Sequence, residues 1–205
     1  MIGIINYNAG NLQSVCNTLD QMGVKYVVSE NPEDFETPKI TKIIFPGVGH
    51  AKSCMAELKK RKFDIFLKNT QKPVLGICVG MQLLFEYSEE GDEAGENTQC
   101  LGIIKGSVKK FKKVDVKIVP HMGWNEVSKI SYKHWIFDGI EDYSDFYFVH
   151  SYYCFPENRV DILGMTDYEQ FSFCSAVQHQ NFIGMQFHPE KSSTVGKKIL
   201  ENFIK

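Results

Sequence analysis

The chain has 205 residues, of which 43% are hydrophobic and 13% aromatic, so it can bury a full core and is neither disordered nor of low complexity. Its 23 Lys and Arg residues nearly balance its 25 Asp and Glu residues, and no basic stripe marks a nucleic-acid footprint. The length favours a single domain spanning 1–205.

The six cysteines are scattered without a CxxC pair, which indicates reduced thiols. The N-terminal run MIGIINYNAGN lacks the basic region of a signal peptide, and no stretch approaches the roughly 20 apolar residues of a membrane span. We therefore expect a cytoplasmic protein that binds neither nucleic acid nor membrane. Metal-ligand spacings and the GxGxxG motif are absent from the sequence, so we expect no metal and no cofactor.

The first half of the chain alternates apolar runs with helical patterns. A helix is predicted from Leu12, ending at Gly23; another is predicted across Met55 to Leu67, and a third begins after Cys78. The strands predicted between them cover residues 2–7, 24–29, 42–45 and 73–77. This order is typical of an α/β fold with a parallel sheet.

The second half, after Gly91, has several β-like runs and few helices between them. These runs cover residues 101–111, 115–119, 145–155, 171–178 and 182–187. A closing helix is predicted from about Ser192, with an inward face of Val195, Ile199, Leu200 and Phe203. The sequence thus predicts a central, mostly parallel sheet flanked by helices, with an antiparallel β extension.

One apolar strand ends in Gly76-Ile77-Cys78-Val79-Gly80, and a helix is predicted to begin at once. In a nucleophile elbow, a tight strand-to-helix turn between glycines exposes a reactive side chain at the carboxyl end of the sheet. The helix N-terminus favours a thiolate at Cys78, and the N–H of Val79 can face a developing oxyanion. On this motif alone, a buried structural cysteine fits equally well.

A second motif, Phe187-His188-Pro189-Glu190, follows an apolar strand. A residue before proline is extended, and positions i and i+2 of an extended segment face the same way, so His188 and Glu190 can cooperate. A carboxylate on one imidazole nitrogen leaves the other able to take a proton from a thiol. Alone, the motif also fits a solvated loop; two such motifs at strand ends of one α/β sheet favour catalysis.

The loop Pro46-Gly47-Val48-Gly49 also follows a strand. Glycines on both sides of Val48 let the Gly47–Val48 peptide turn either way at low cost, so its N–H could complete an oxyanion hole or point away. An ordinary tight turn is the simpler interpretation of this loop by itself.

Together, GxCxG and HPE resemble the motifs of the class I (triad) glutamine amidotransferases. The resemblance covers nearly the whole chain and is closest to the glutaminase subunits of imidazole glycerol phosphate synthase, through IGIINYNAGNLQSV, IIFPGVGH, GICVGMQLLFE, PHMGWN, FYFVHSYY and MQFHPEKSS. The segment 89–100 is longer and more acidic than the family pattern, and this difference affects which residue of the segment matches the family position assigned to Glu90.

The resemblance implies that Cys78 attacks the side-chain amide carbon of glutamine, that His188 passes a proton to the departing ammonia, and that Glu190 orients His188. Water then hydrolyses the thioester to glutamate. By matching position, the oxyanion hole is formed by the N–H groups of Val48 and Val79, and glutamine is bound by Gly47, Gly49, Gln82, Glu90, Ser151 and Tyr152.

The resemblance also implies a partner, a cyclase subunit with a (β/α)8 barrel, in a heterodimer that serves histidine biosynthesis. The barrel would carry ammonia, still unprotonated, to a second active site. Positions near that interface are Asn11, Trp124, Tyr147 and Lys191. If the Gly47–Val48 peptide points away in the isolated subunit, turnover is low until the liganded partner biases the flip.

Two other functions remain open from the sequence. One is a paralogous amidotransferase subunit that supplies ammonia to surface-sugar amidation, and the other is a noncatalytic regulatory subunit of a synthase whose triad is idle. A cysteine hydrolase acting on other amides shares the elbow but does not account for PHMGWN or HPEKS.

Overall fold

The computed structural model describes residues 1–8, 12–91, 95–131 and 133–205. The α-helices of this part of the chain are α1 (Leu12–Gln21), α2 (Ala51–Lys60), α3 (Phe63–Asn69), α4 (Val79–Gln82) and α5 (Ser193–Ile204), and short 3-10 helices cover Pro32–Phe35, Trp135–Phe137, Arg159–Asp161 and Pro189–Lys191. Its strands are β1 (Ile2–Ile5), β2 (Tyr26–Ser29), β3 (Lys42–Gly47), β4 (Val74–Cys78), β5 (Tyr87–Ser88), β6 (Thr98–Gln99), β7 (Gly106–Lys110), β8 (His121–Lys129), β9 (Ser144–His150), β10 (Tyr152–Pro156), β11 (Ile162–Tyr168), β12 (Phe171–His179) and β13 (Phe182–Met185). None of the helices described is both long and apolar enough to cross a membrane.

The strands form one large sheet in the order β2-β1-β3-β4-β13-β12-β10-β7-β5-β6. The first five run parallel to one another, and from β12 onward the pairing is antiparallel apart from β5 with β7. Strands β11, β8 and β9 extend from β12 as an antiparallel branch. This confirms the predicted α/β fold with its antiparallel extension.

The helix predicted across Met55 to Leu67 is wrong as one element, because the structure divides it into α2 and α3. Lys62 adopts a left-handed conformation with φ 62°, which no α-helix can pass through without a break. The apolar side chains on both sides of the break, such as Leu58 and Phe63, are still fully buried. The helical period therefore located the buried face correctly but not the interruption.

The strand predicted for 115–119 is also wrong, since these residues form a turn and an irregular segment. The backbone N–H groups of Lys117 and Ile118 donate to the carboxylate of Glu169, at 2.9 and 3.2 Å, instead of to a neighbouring strand. Strands β8 and β11 were not predicted. Both contain a glycine and polar residues in place of a continuous apolar run, and β8 exposes every second side chain over most of its length.

The register of the parallel strands brings the sequence motifs to one edge of the sheet. Gly47 at the end of β3 pairs with Cys78 at the end of β4, and Met185 at the end of β13 pairs with Ile77. Helix α4 then packs directly on β3, so closely that a Cβ atom on Gly80 would lie 2.0 Å from the carbonyl oxygen of Phe45. The second glycine of GxCxG is thus required by backbone contact.

Gly80→Ala is expected to lower the free energy of unfolding by about 3 kcal/mol, since the methyl group must push α4 and β3 apart. Gly23→Ala is the matched control: its φ is +67° and a Cβ there meets nothing within 4 Å, so it costs only about 1–2 kcal/mol of backbone strain. Urea unfolding of both variants checks this. Equal losses in the two variants would contradict the close-contact explanation.

Candidate active site

Cys78 occupies a sharp turn between β4 and α4. Its φ of 54° and ψ of −112° form a backbone conformation that a residue with a side chain rarely adopts. The thiol lines a cavity of about 390 Å³ at the carboxyl edge of the sheet. Its sulfur lies 4.0 Å from the carbonyl oxygen of Val149 and 3.8 Å from Nε2 of Gln186. The local geometry is that of a nucleophile elbow.

His188 lines the same cavity and is held by its neighbours. Its Nδ1 lies 2.8 Å from Oε1 of Glu190, and both side chains are only 2% exposed. The backbone N–H of His188 donates to the carbonyl of Tyr147 at 2.9 Å, and its carbonyl accepts from the hydroxyl of Ser192 at 2.7 Å. The other ring nitrogen, Nε2, is buried and has no hydrogen-bond partner among the described residues. It is therefore available for proton transfer.

The charge state of His188 is set by opposing influences. Burial by itself lowers the pKa of His188, but the neighbouring Cys78 and Glu190 outweigh it and raise this pKa to about 10. At neutral pH the imidazole therefore holds a second proton next to the sulfur. A protonated imidazole at this position has a proton ready for a leaving group.

The candidate oxyanion residues Val48 and Val79 and the candidate substrate residues Gly47 and Gly49 lie close to the turn at Cys78. Val48, Gly49 and Val79 line the cavity, and Val79 is the first residue of α4. Gly47 lies behind this wall, where a Cβ atom would come within 2.6 Å of the backbone nitrogen of Gly80. The carbonyl of Val48 accepts a hydrogen bond from the buried thiol of Cys54 at 3.5 Å.

The other candidate substrate residues, Gln82, Glu90, Ser151 and Tyr152, line this cavity too. Glu90 Oε2 accepts the backbone N–H of Ala51, the first residue of α2, at 2.7 Å. Despite the long acidic segment that follows it, Glu90 is thus anchored in the cavity wall. A cleft of this volume with a few fixed polar groups is typical of a small-molecule site.

Three of the four candidate interface residues form one cluster. Trp124 on β8 is opposite Tyr147 on β9, with ring centroids 6.1 Å apart and nearly perpendicular planes. Nζ of Lys191 lies 5.9 Å from the centre of the Tyr147 ring, and Lys191 also lines the cavity. Trp124 is 55% exposed. The fourth residue, Asn11, lies outside the described residues.

The structure adds polar residues to which the sequence motifs assign no role. Gln186 reaches the Cys78 sulfur, and its position two residues before His188 on the same segment is a spacing signal that could have revealed it. His150 lines the cavity and lies 2.9 Å from His121. That contact depends on the β8–β9 register, which no local sequence pattern reveals.

Comparison with known proteins agrees with this geometry. The family model for class-I glutamine amidotransferases matches residues 3–205. Two solved structures share the fold, one titled glutamine amidotransferase (TM-score 0.70, 13% identity, 99% of this chain and 96% of that one) and a glutamine amidotransferase from Thermotoga maritima (TM-score 0.62, 17% identity, 99% and 81%). The chain is thus a class-I glutamine amidotransferase.

Curated relatives assign the chain to one family within this class. A protein of Methanocaldococcus jannaschii is 46% identical over 205 residues, covering 100% of this chain and 98% of the relative. Others are from Dehalococcoides mccartyi (44%, covering 100% and 97%) and Bacteroides fragilis (43%, covering 99% and 98%). All three are named imidazole glycerol phosphate synthase subunit HisH. The chain belongs to the HisH family.

Glu190→Gln should lower the pKa of His188, because the variant keeps a side chain of the same shape but removes one of the two groups that raise it. The pH titration of the His188 ring protons by NMR measures this. The same titration of His134, which does not line the cavity and whose pKa is lowered by burial, provides the internal control and should not move. An unchanged His188 titration would remove Glu190 from the explanation.

Proposed function

We propose that this glutaminase hydrolyses glutamine with Cys78 as nucleophile, His188 as proton carrier and Glu190 as the group that orients His188. The observation that carries the assignment is that Cys78 and His188 line one cavity while Nδ1 of His188 is held by Glu190 at 2.8 Å. This is the arrangement of nucleophile, base and orienting group found in covalent acyl-transfer catalysis.

In the first half of the reaction, the Cys78 sulfur forms a bond to the side-chain amide carbon of glutamine. The negative charge that develops on the amide oxygen is stabilised by the N–H groups of Val48 and Val79. His188 donates its Nε2 proton to the amide nitrogen, the carbon–nitrogen bond breaks, and ammonia leaves. The acyl group remains on Cys78 as a thioester.

In the second half, His188 accepts a proton from water as the water oxygen bonds to the thioester carbon. The carbon–sulfur bond then breaks, so glutamate leaves and the Cys78–His188 pair is restored. The buried Glu190 carboxylate supports His188 whenever it is protonated. The carboxylate of Glu90 has the right charge to bind the α-amino group of glutamine. Gln82, Ser151 and Tyr152 orient the other polar groups of the substrate.

We further propose that the ammonia goes to a cyclase subunit with a (β/α)8 barrel in a heterodimer. The relatives are named as subunits of a synthase, which supports a partner enzyme. The exposed Trp124, together with Tyr147 and Lys191 beside the cavity, offers a docking rim. A cytoplasmic location is part of the same proposal.

The names of the relatives favour the histidine-pathway subunit over a subunit for surface-sugar amidation. The intact constellation of Cys78, His188 and Glu190 argues against a noncatalytic regulatory subunit.

Cys78→Ala should abolish glutamine hydrolysis, because no other described residue that lines the cavity carries a thiol to form the thioester, while binding of the barrel partner is retained. Glutamate release and co-purification with the partner measure the two properties. Cys16→Ala, which removes a buried thiol on α1, is the control and should keep activity. Hydrolysis by the Cys78 variant would exclude Cys78 as the nucleophile.

Glutamine turnover by the isolated chain should be about 10²–10³ times lower than in the complex with the cyclase and its nucleotide ligand, if one oxyanion donor is turned away without the partner. Steady-state glutaminase assays with and without partner and ligand check this. Full activity of the isolated chain would contradict a partner-dependent Gly47–Val48 peptide.

A further inference from the structure

A run of buried polar side chains crosses the protein from strand β8 to the catalytic sulfur. Gln82, His121, His150 and Gln186 are between 0% and 6% exposed. The catalytic steps proposed above leave both histidines and Gln186 without a task. Polar groups this deeply buried are hydrogen-bonded in native proteins, and a complete network fixes a single arrangement of its members.

The orientation of the two histidines follows from one backbone carbonyl. The carbonyl oxygen of Tyr152 can only accept, so Nδ1 of His150, at 2.8 Å, must carry the hydrogen. Burial lowers the pKa of His150 to about 3, so the ring is neutral and its Nε2 is an acceptor. Nδ1 of His121, at 2.9 Å from that Nε2, must therefore be a donor.

The hydrogen-bond roles of His121 can be assigned by the same reasoning. Burial lowers the pKa of His121 to about 4, so its Nε2 is also an acceptor. Asn125 faces it with Nδ2 at 3.2 Å and donates its other amide hydrogen to the carbonyl of Asp167 at 2.9 Å. Both rings are thus neutral with the hydrogen on Nδ1.

The same Tyr152 carbonyl orients the two glutamines. Nε2 of Gln82 donates to it at 3.1 Å, which makes the facing atom of Gln82 an amide nitrogen. That nitrogen is also 3.0 Å from Oε1 of Gln186, which must accept. The amide nitrogen of Gln186 is then directed at the Cys78 sulfur, 3.8 Å away. An N–H donor at this position stabilises the thiolate over the thiol.

We propose that Gln186 is a further catalytic residue, which donates a hydrogen bond to the Cys78 sulfur, and that His121 and His150 are positioning residues that fix this donor through Tyr152 and Gln82. The inference deepens the proposed glutaminase function and rests on Cys78 being its nucleophile. Without the N–H of His150, the Tyr152 carbonyl keeps only one of its two side-chain hydrogen bonds. The carbonyl then no longer holds Gln82, and through it Gln186, in a single orientation.

The first test compares Gln186→Met, which keeps the length of the side chain without its N–H, with the double variant H121F/H150F. Phenylalanine suits position 150 because His150 already packs against Phe111, Phe148 and Phe173. Because both members of this buried hydrogen-bonded pair are replaced by apolar rings, neither position keeps a polar atom that has lost its partner at the other. Thermal unfolding verifies that each variant is folded.

The measurement is the rate at which iodoacetamide alkylates Cys78, followed by peptide mass spectrometry as a function of pH. On the acid side of the profile each variant should react about tenfold more slowly than the wild type, which corresponds to an upward shift of the midpoint by about one unit. The triple variant Q186M/H121F/H150F should be no slower than Gln186→Met, because the histidines act through Gln186. Unchanged alkylation in Gln186→Met, or additive losses in the triple variant, would overturn the proposal.

Two matched variants separate positioning from packing. H121F/H150N restores an amide N–H at the δ position of residue 150 and should recover part of the alkylation rate lost in H121F/H150F. His134→Phe changes a histidine outside the network, which caps a short turn, and should react like the wild type. Equal rates in H121F/H150N and H121F/H150F would reject the role of the His150 donor.

A spectroscopic measurement tests the network directly. Nitrogen-15 NMR of the imidazoles should show His121 and His150 both as neutral rings protonated on Nδ1, and a proton on Nε2 of either ring would refute the deduced chain. None of these readouts needs glutamine. If the wild type failed to hydrolyse glutamine but the alkylation pattern held, the proposed function would fall and the network would stand.

Discussion

The parallel pairing of β4 between β3 and β13 is the constraint on which the site depends. With Gly47 opposite Cys78 and Met185 opposite Ile77, the three strands end at the same edge. The glycine loop, the elbow and the His188 segment leave the sheet side by side, as expected for a ligand crevice in an α/β sheet. A shift of one residue in either register would move the sulfur away from the imidazole.

Burial lowers the pKa of His188, His150 and His121 alike, but the groups around each ring differ. His188 lies beside Cys78 and Glu190, whose charges outweigh desolvation and raise its pKa to about 10. For His150 and His121 burial prevails and lowers their pKa values to about 3 and 4, and the nearby His188 lowers the pKa of His150 further. The neighbours of each imidazole ring decide whether it carries a charge. The cavity region therefore holds the protonated His188 beside two neutral rings, which fix the direction of the hydrogen bonds around them.

The β8–β9 pair has two faces with different tasks. Toward solvent it presents Trp124 and Tyr147, which form the proposed docking rim with Lys191. Toward the interior it holds His121 and His150 in the hydrogen-bonded run that ends at the sulfur. Side chains alternate between the two faces of a strand. The same two strands therefore carry the proposed docking rim on one face and, on the other, the hydrogen-bonded histidines that position groups around Cys78.

The sequence by itself determined the local features: alternating strands and helices, the elbow at Cys78, and the cooperation of His188 with Glu190, which needs only i and i+2 on an extended segment. Only the tertiary structure decided which distant segments meet. The break at Lys62, the irregular 115–119 segment capped by Glu169, and the pairing of His121 with His150 all depend on long-range contacts. Hydrophobic periodicity records which face of an element is buried but not which strand becomes its neighbour, so these features could not be read from the chain alone.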